Sequence, residues 1–227
     1  MKRCALFLFL TAVLAAQSAP EVEITAEPHH HQVLANDQVR VFSVEVPPHS
    51  ETLMHWHRHD YIYVTLGATE VVNAVKGKDP VSVKLADGDT RFLPASFTHV
   101  ARNPGDHPFR NVTIELLQDA KLRASTAKWD EERGLDILQG GTKDVLFVKD
   151  NVRVSEIELQ HHGIAPMTAK AYLLVAVTDL KLSHQLKNAP HMASDDFELK
   201  SGDSKWLAGD LISIGPAPAK FVTLEFP

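Results

Sequence analysis

The chain repeats itself, and that repetition limits what it can fold into more than any other feature. The run NDQVRVFSVEV at 36–46 returns as KDNVRVSEIEL at 149–159, a shift of 113 residues. Under the same shift His162 stands opposite His49. GDTRFL at 88–93 returns as GDSKWL at 202–207, and VTIEL at 112–116 returns as VTLEF at 222–226. Three matches in one order define two copies of a unit of about 90 residues rather than one large domain. The expected division of the 227 residues is an N-terminal segment over 1–19, a first copy over 20–117, a joining stretch over 118–144 and a second copy over 145–227. The joining stretch is polar, and its Gly140–Gly141 pair reads as a loop.

Each copy reads as strands. Val39, Val41, Ser43 and Glu45 interleave with Arg40, Phe42, Val44 and Val46 in a β-branched context. Turn signals such as Pro47–Pro48, Ala86–Asp87–Gly88 and Asn103–Pro104–Gly105 punctuate short apolar runs. Many short strands with regular turns predict an all-β chain of sandwiches or small closed barrels. With 44% hydrophobic and 23% charged residues the composition excludes a wholly disordered or collagen-like chain.

The N-terminus, MKRCALFLFLTAVLAAQSAP, has Lys2 and Arg3 before an apolar run from Cys4 to Ala16, then small residues around a cleavage point. This is the pattern of a secretory signal peptide, since a transmembrane helix needs about 20 apolar residues. Its removal leaves 21 basic and 29 acidic residues, a net charge of −8, and takes away Cys4, the one cysteine. The expectation is a secreted or periplasmic protein with no membrane attachment after cleavage and no disulfide. A thiolate metal site is excluded, and the acidic balance leaves nothing to neutralise phosphates, so no nucleic acid is expected as a partner.

The 13 histidines are the unusual count. In HWHRHDYIYVTLG (55–67), His55, His57 and His59 alternate, and residues two apart on a strand face one side. Two imidazoles so placed aim at one point, and neutral imidazole is a common metal ligand. His99, in the β-rich GDTRFLPASFTHVARN (88–103), is the candidate for a third ligand from another strand. Histidines 29–31 form a metal-capable tract that reads as a solvated N-terminal arm. His107 and His191 lie in loop-like stretches and read as surface residues.

These residues resemble the cupin family. Its second motif, G-x5-P-x-G-x2-H-x3-N, is met by Gly88, Pro94, His99 and Asn103, with Ser96 where a glycine is usual. Its first, G-x5-H-x-H-x(3,4)-E-x6-G, is met by His55, His57 and Gly67. His49 replaces the opening glycine, and Asp60 replaces the glutamate with a gap one residue short. The resemblance covers both motifs over 29–117 and the fold alone over 145–227, and it implies a bicupin of two jelly-roll barrels. It carries His55, His57, Asp60 and His99 over as metal ligands. Tyr61 and His59 compete with Asp60, because both share strand parity with His55 and His57.

Near the places of His55 and His57 the second copy reads MTAKAYLL (167–174), with no H-x-H, and Ser213 stands where His99 would fall. Its barrel is expected to be filled by Leu173, Val175, Ile212 and Ile214, which leaves one site per chain. Three imidazoles with a carboxylate or water suit Fe, Mn, Zn, Ni or Cu. The resemblance implies either a metal-dependent oxidoreductase of the dioxygenase kind, or an isomerase-like enzyme, on a small oxygenated substrate, or a cupin that binds metal or a small ligand without turnover. Trp56, Tyr61, Tyr63, Phe92 and Phe97 are the expected pocket residues. Jelly-roll edge strands pair readily, which leaves room for a homodimer.

Overall fold

A computed structural model describes residues 20–118, 134–167, 171–185, 195–208, 211–214 and 217–226. Residues 1–19, expected to be a signal segment, residues 119–133 of the joining stretch and His191 lie outside these. The described residues form strands, with one short 3-10 helix at Ile24–Ala26. In the first half these are β1 (Val22–Glu23), β2 (His30–Ala35), β3 (Val39–Val46), β4 (His55–Trp56), β5 (Tyr61–Leu66), β6 (Thr69–Val75), β7 (Val81–Leu85), β8 (Thr90–Leu93), β9 (Thr98–Arg102) and β10 (Phe109–Leu116). They make two five-stranded sheets, ordered β1-β4-β9-β6-β7 and β2-β3-β10-β5-β8.

The second half consists of β11 (Leu135–Lys149), β12 (Val152–Pro166), β13 (Ala171–Ala176), β14 (Leu180–Gln185), β15 (Asp195–Leu199), β16 (Ser204–Leu207), β17 (Leu211–Ile214) and β18 (Ala219–Phe226). Here the path β11-β12-β18-β13-β16 repeats β2-β3-β10-β5-β8, and β15-β14-β17-β12 repeats β7-β6-β9-β4. The chain is therefore two tandem jelly-roll barrels. In the second, β12 serves both faces, pairing β18 over 153–159 and β17 over 164–166. The corner between those stretches is His162 at φ 54°, and the first barrel turns the same corner at His49, also at φ 54°. The repeat thus preserves a left-handed backbone position without glycine, a conformation most side chains avoid.

Both faces of the central strands are buried, for different reasons. Val39, Val41, Ile62, Val64, Val112 and Ile114 from one barrel meet Val152, Val154, Leu173, Val175, Val222 and Leu224 from the other in a single core. The alternate residues point inward: Ile24, Phe42, Val44, Val71 and Phe109 fill the first barrel, and Ile157, Leu159, Tyr172, Leu174, Ile212 and Phe221 fill the second. Leu173 and Val175, expected inside the second barrel, thus lie between the barrels. One step of strand parity moves a side chain to the opposite face. Ile212 is inside as expected, and only the backbone of Ser213 and Ile214 is described.

The interface carries the pseudo-twofold signature of the repeat. Arg110 on β10 donates to Ser201 O at 2.8 Å, in the turn of Gly202. Its repeat partner Lys220 on β18 reaches Asp87 O at 3.3 Å, in the turn of Gly88, and pairs with Glu156 at 3.0 Å. Both glycines have positive φ. The joining stretch departs from expectation at Gly140–Gly141, which lie within β11 at a shift of register between Gln139 and Gly141 rather than in a loop. A side chain on Gly141 would meet Glu158 O at 2.1 Å, so the glycine is there for close approach of β11 to β12.

Candidate metal centre

His55 and His99 face each other across the β4–β9 pair, and His57 follows one strand step later. The strands thus bring together the H-x-H pair and the histidine of the second motif. Each offers one ring nitrogen, and these lie within 4.8 Å of one another, the one such group of histidine, cysteine or carboxylate residues among the described residues. His55 and His57 are each 1% exposed.

The protein holds the Nδ1 atoms of His55 and His99, while His57 Nδ1 is buried without a hydrogen-bond partner. His55 Nδ1 donates to Leu53 O at 2.9 Å, and His99 Nδ1 meets Asn73 Oδ1 at 2.8 Å. Nε2 of both rings is buried with no hydrogen-bond partner. Buried polar atoms are rarely left so, and two imidazoles with a tied Nδ1 and an orphaned Nε2 fit a metal ion. His57 Nδ1 lies 3.9 Å from Glu115 Oε1. Glu115 is fully buried, and its other oxygen accepts from Arg40 Nε at 2.8 Å. Burial first, and then the neighbouring His30, lower the pKa of His55 to about 4. Burial likewise holds His57 and His99 well below the usual imidazole range, with the other imidazoles adding to it. All three are neutral near pH 7, the form that binds metal.

Asp60, carried over by the resemblance, is not in this group. Its Oδ1 accepts the backbone N–H of Ala95 at 2.7 Å, so the shortened gap turns the carboxylate onto the proline turn of the second motif. His59, the alternative, sits in the bend before β5 and does not line the cavity below. Tyr61, the other alternative, stacks on His57 with ring centroids 3.8 Å apart and planes 11° from parallel. Burial raises its phenol above the ordinary pKa of 10. Two non-ligand motif positions also gain a physical role. Ser96 keeps the left-handed backbone of the glycine it replaces, at φ 64°. Asn103 Nδ2 donates to the carbonyls of Val46, Pro47 and His107, clamping the end of β3.

The triad opens onto a cavity of about 290 Å³. Tyr61, Tyr63 and Phe92 line it as expected, but Trp56 and Phe97 do not. Phe97 instead packs on His99, and Trp56 lies under Arg58.

Sequence reasoning missed much of the cavity wall, including Asn73, Arg91, Asn111 and above all His30. His30, expected in a solvated arm, is on β2 paired opposite Val44, and its side chain is 5% exposed. Its ring lies 4.8 Å from that of His55, and its Nδ1 meets the buried carboxylate of Glu27. The apolar alternation of β3, which demands a partner strand, was the available signal.

No protein-family model matches the chain, and no curated protein does. Solved structures do. The chain is similar to Lactobacillus farciminis oxalate decarboxylase, with 11% identity over 85% of this chain and 78% of that one and a TM-score of 0.57. Salicylate 1,2-dioxygenase from Pseudoaminobacter salicylatoxidans gives 10% identity over 84% and 68%, also with a TM-score of 0.57. AerE from Microcystis aeruginosa gives 11% identity over 88% and 98%, with the same TM-score. At such identities the likeness shows the fold, the tandem cupin jelly roll.

Proposed function

We propose that the first barrel holds one divalent ion on His55, His57 and His99 and acts as a metal-dependent oxidoreductase, dioxygenase-like, on a small oxygenated molecule. The observation that carries this reading is the trio of neutral imidazoles, His55 and His57 buried and His99 partly so, with ring nitrogens within 4.8 Å and two of them with orphaned Nε2 atoms. Three protein ligands leave coordination positions for a substrate. A bound ion would polarise an oxygen of the substrate and, if redox-active, exchange electrons with O2. The protein orients His55 and His99 through Leu53 O and Asn73 Oδ1, and Val44, Val71 and Phe109 share the cavity wall with Arg91, Asn111 and Thr113. At about 290 Å³ the cavity is at the small end of ligand pockets, which span about 300–1,000 Å³. Among the structural neighbours, oxalate decarboxylase and salicylate dioxygenase are named for small carboxylate substrates, and the Bacillus subtilis oxalate decarboxylase has Mn(II) centres.

A second reading, metal or small-ligand binding without turnover, is favoured by one feature. No carboxylate lines the cavity, so none is placed there as a general base. The test is to purify the chain without a histidine tag, refill it anaerobically with Fe, Mn, Zn, Ni or Cu in turn, and measure metal by mass spectrometry. One ion per chain is expected, and less than about 0.2 per chain would sink the metal reading, since a built site fills. O2 uptake with phenols, diketones and small hydroxy acids then separates enzyme from binder. Export rests on the N-terminal pattern of Lys2, Arg3 and the apolar run to Ala16. Its test is N-terminal sequencing of the protein recovered outside the cytoplasm.

A further inference from the structure

Glu115 belongs to neither cupin motif, yet its side chain is wholly buried beside the three imidazoles. It lies on β10, between Arg40 of β3 and Tyr61 of β5 in the strand register. Arg40 donates to its Oε2 from Nε at 2.8 Å and from Nη2 at 2.5 Å. Its Oε1 is buried with no hydrogen-bond partner. His57 Nδ1 is likewise without one and lies 3.9 Å from that oxygen, about 1 Å beyond hydrogen-bond length. An acceptor and a ring nitrogen able to donate, both orphaned and this close, carry a cost that one small movement removes. Tyr61 does not fill the gap. Its ring is stacked flat on that of His57, so its hydroxyl lies out of the imidazole plane in which Nδ1 donates.

The second barrel carries the same frame with a different third member. Glu225 on β18 stands between Arg153 of β12 and Tyr172 of β13. Arg153 pairs with its Oε2, and Lys143 reaches both oxygens, at 3.1 and 3.3 Å. Lys143 pairs opposite Ile157 as His30 pairs opposite Val44, and Ile157 is the repeat partner of Val44. In the first barrel His30 thus stands in the place of Lys143, and it meets Glu27 instead. The carboxylate side that Lys143 fills in one barrel is left facing His57 in the other.

The Nδ1 atoms of His55 and His99 already meet a carbonyl and an amide oxygen, at 2.9 and 2.8 Å. We propose that Glu115 is the positioning residue of His57: its Oε1 takes the Nδ1–H of that ring once an ion occupies Nε2, and fixes the third ligand as Leu53 and Asn73 fix the other two. The proposal rests on the metal-site reading. A neutral imidazole that binds an ion through one nitrogen carries its proton on the other, so the bond follows from ligation and not from pH. A carboxylate acceptor makes this bond stronger than the two neutral ones and His57 the most basic of the three ligands.

The experiment measures zinc affinity, by competition with a chromogenic chelator, for the wild type, Glu115→Gln and Glu225→Gln. In Glu115→Gln the guanidinium of Arg40 claims the amide oxygen, so the amide N–H group faces Nδ1 and a donor meets a donor. Zinc binding is expected to weaken about 10–100-fold. Glu225→Gln disturbs the matching buried pair in the barrel without the H-x-H histidines, and it is expected to bind zinc as the wild type does. Unchanged affinity in Glu115→Gln overturns the proposal. Equal losses in the two variants also overturn it, since they mark a general loosening of the fold. The wild type supplies a readout that needs no variant. With zinc bound, ¹⁵N spectra of the imidazoles should show His57 metallated at Nε2 and protonated at Nδ1, with that proton downfield of those of His55 and His99. Zinc on Nδ1 of His57, or a proton upfield of the other two, overturns the proposal while the metal reading stands. Zinc absent from the wild type overturns the metal reading and this inference with it.

Discussion

Replacing Asn73 by alanine tests how the site is built. Asn73 sits on β6 opposite Ala101, and its Oδ1 is the partner of His99 Nδ1 at 2.8 Å. That bond holds the proton on Nδ1 and leaves the lone pair of the buried Nε2 directed at the other two imidazoles. Alanine leaves Nδ1–H without an acceptor inside a cavity with largely apolar walls, so the ring loses both its tautomer and its orientation. Loss of such an outer hydrogen bond weakens metal binding about 10–100-fold, or about 1.4–2.8 kcal/mol at 1.4 kcal/mol per decade. The upper part of that range is expected, because burial keeps bulk water from replacing the amide. The assay is competition for zinc against a chromogenic chelator, with circular dichroism to confirm the fold. Asn73→Asp, which keeps an acceptor, should bind at least as well as the wild type. Equal affinity of Asn73→Ala and the wild type would refute the reasoning, and so would equal losses in both variants.

Asp60→Ala should keep its metal, because the carboxylate caps Ala95 N–H, while stability in urea falls by about 1–2 kcal/mol. Gly88→Ala should destabilise by about 1–3 kcal/mol, since φ is +86° and the new carbon meets Lys220 Cε at 2.7 Å and Glu156 Oε2 at 2.8 Å. Gly67→Ala, at φ +80° with open space around it, should lose only the backbone part, about 1 kcal/mol, so that the difference reads the contact between barrels. Burial works to raise the Glu27 carboxyl, but the hydrogen bond and charge of His30, with the N–H groups of Leu53 and His29, outweigh it and hold the group below its ordinary 4.5. Its contribution is complete above 4.5 and is lost as pH falls through the lower folded value. Glu27→Gln should therefore flatten the acid limb of stability below pH 4.5, measured by urea unfolding of the metal-free protein.

Much of the architecture was legible because its signals are local. The repeat of 36–46 at 149–159 placed β3 opposite β12, and the VTIEL and VTLEF runs became β10 and β18, which pair with them in the same register sense. His55 and His57 converge because residues two apart share a face. His99 was reachable because its motif spacing places it on the strand beside them. Trp56 was misread because an aromatic one residue from a histidine on a strand points to the opposite face, whereas Phe97 precedes β9 and packs on the His99 ring without lining the cavity. The Gly140–Gly141 pair looked like a loop because the same residue type serves both a turn and a close approach of two backbones.

The sequence by itself determined the all-β repeat, the strand alternation and the three histidines, since each depends on spacing within a few residues. Tertiary structure alone decided the rest. Alternation says which residues share a face but not what that face meets, and both faces of β5 and β13 are buried, so only packing could put Leu173 and Val175 between the barrels. His30 reached the cavity because β2 pairs with β3 fourteen residues away, a contact that no local spacing encodes. The direction of the Asp60 carboxylate was decided by a backbone N–H at Ala95, 35 residues along the chain. Spacing sets which groups are able to meet, and the burial of an unpaired donor or acceptor decides which of them do.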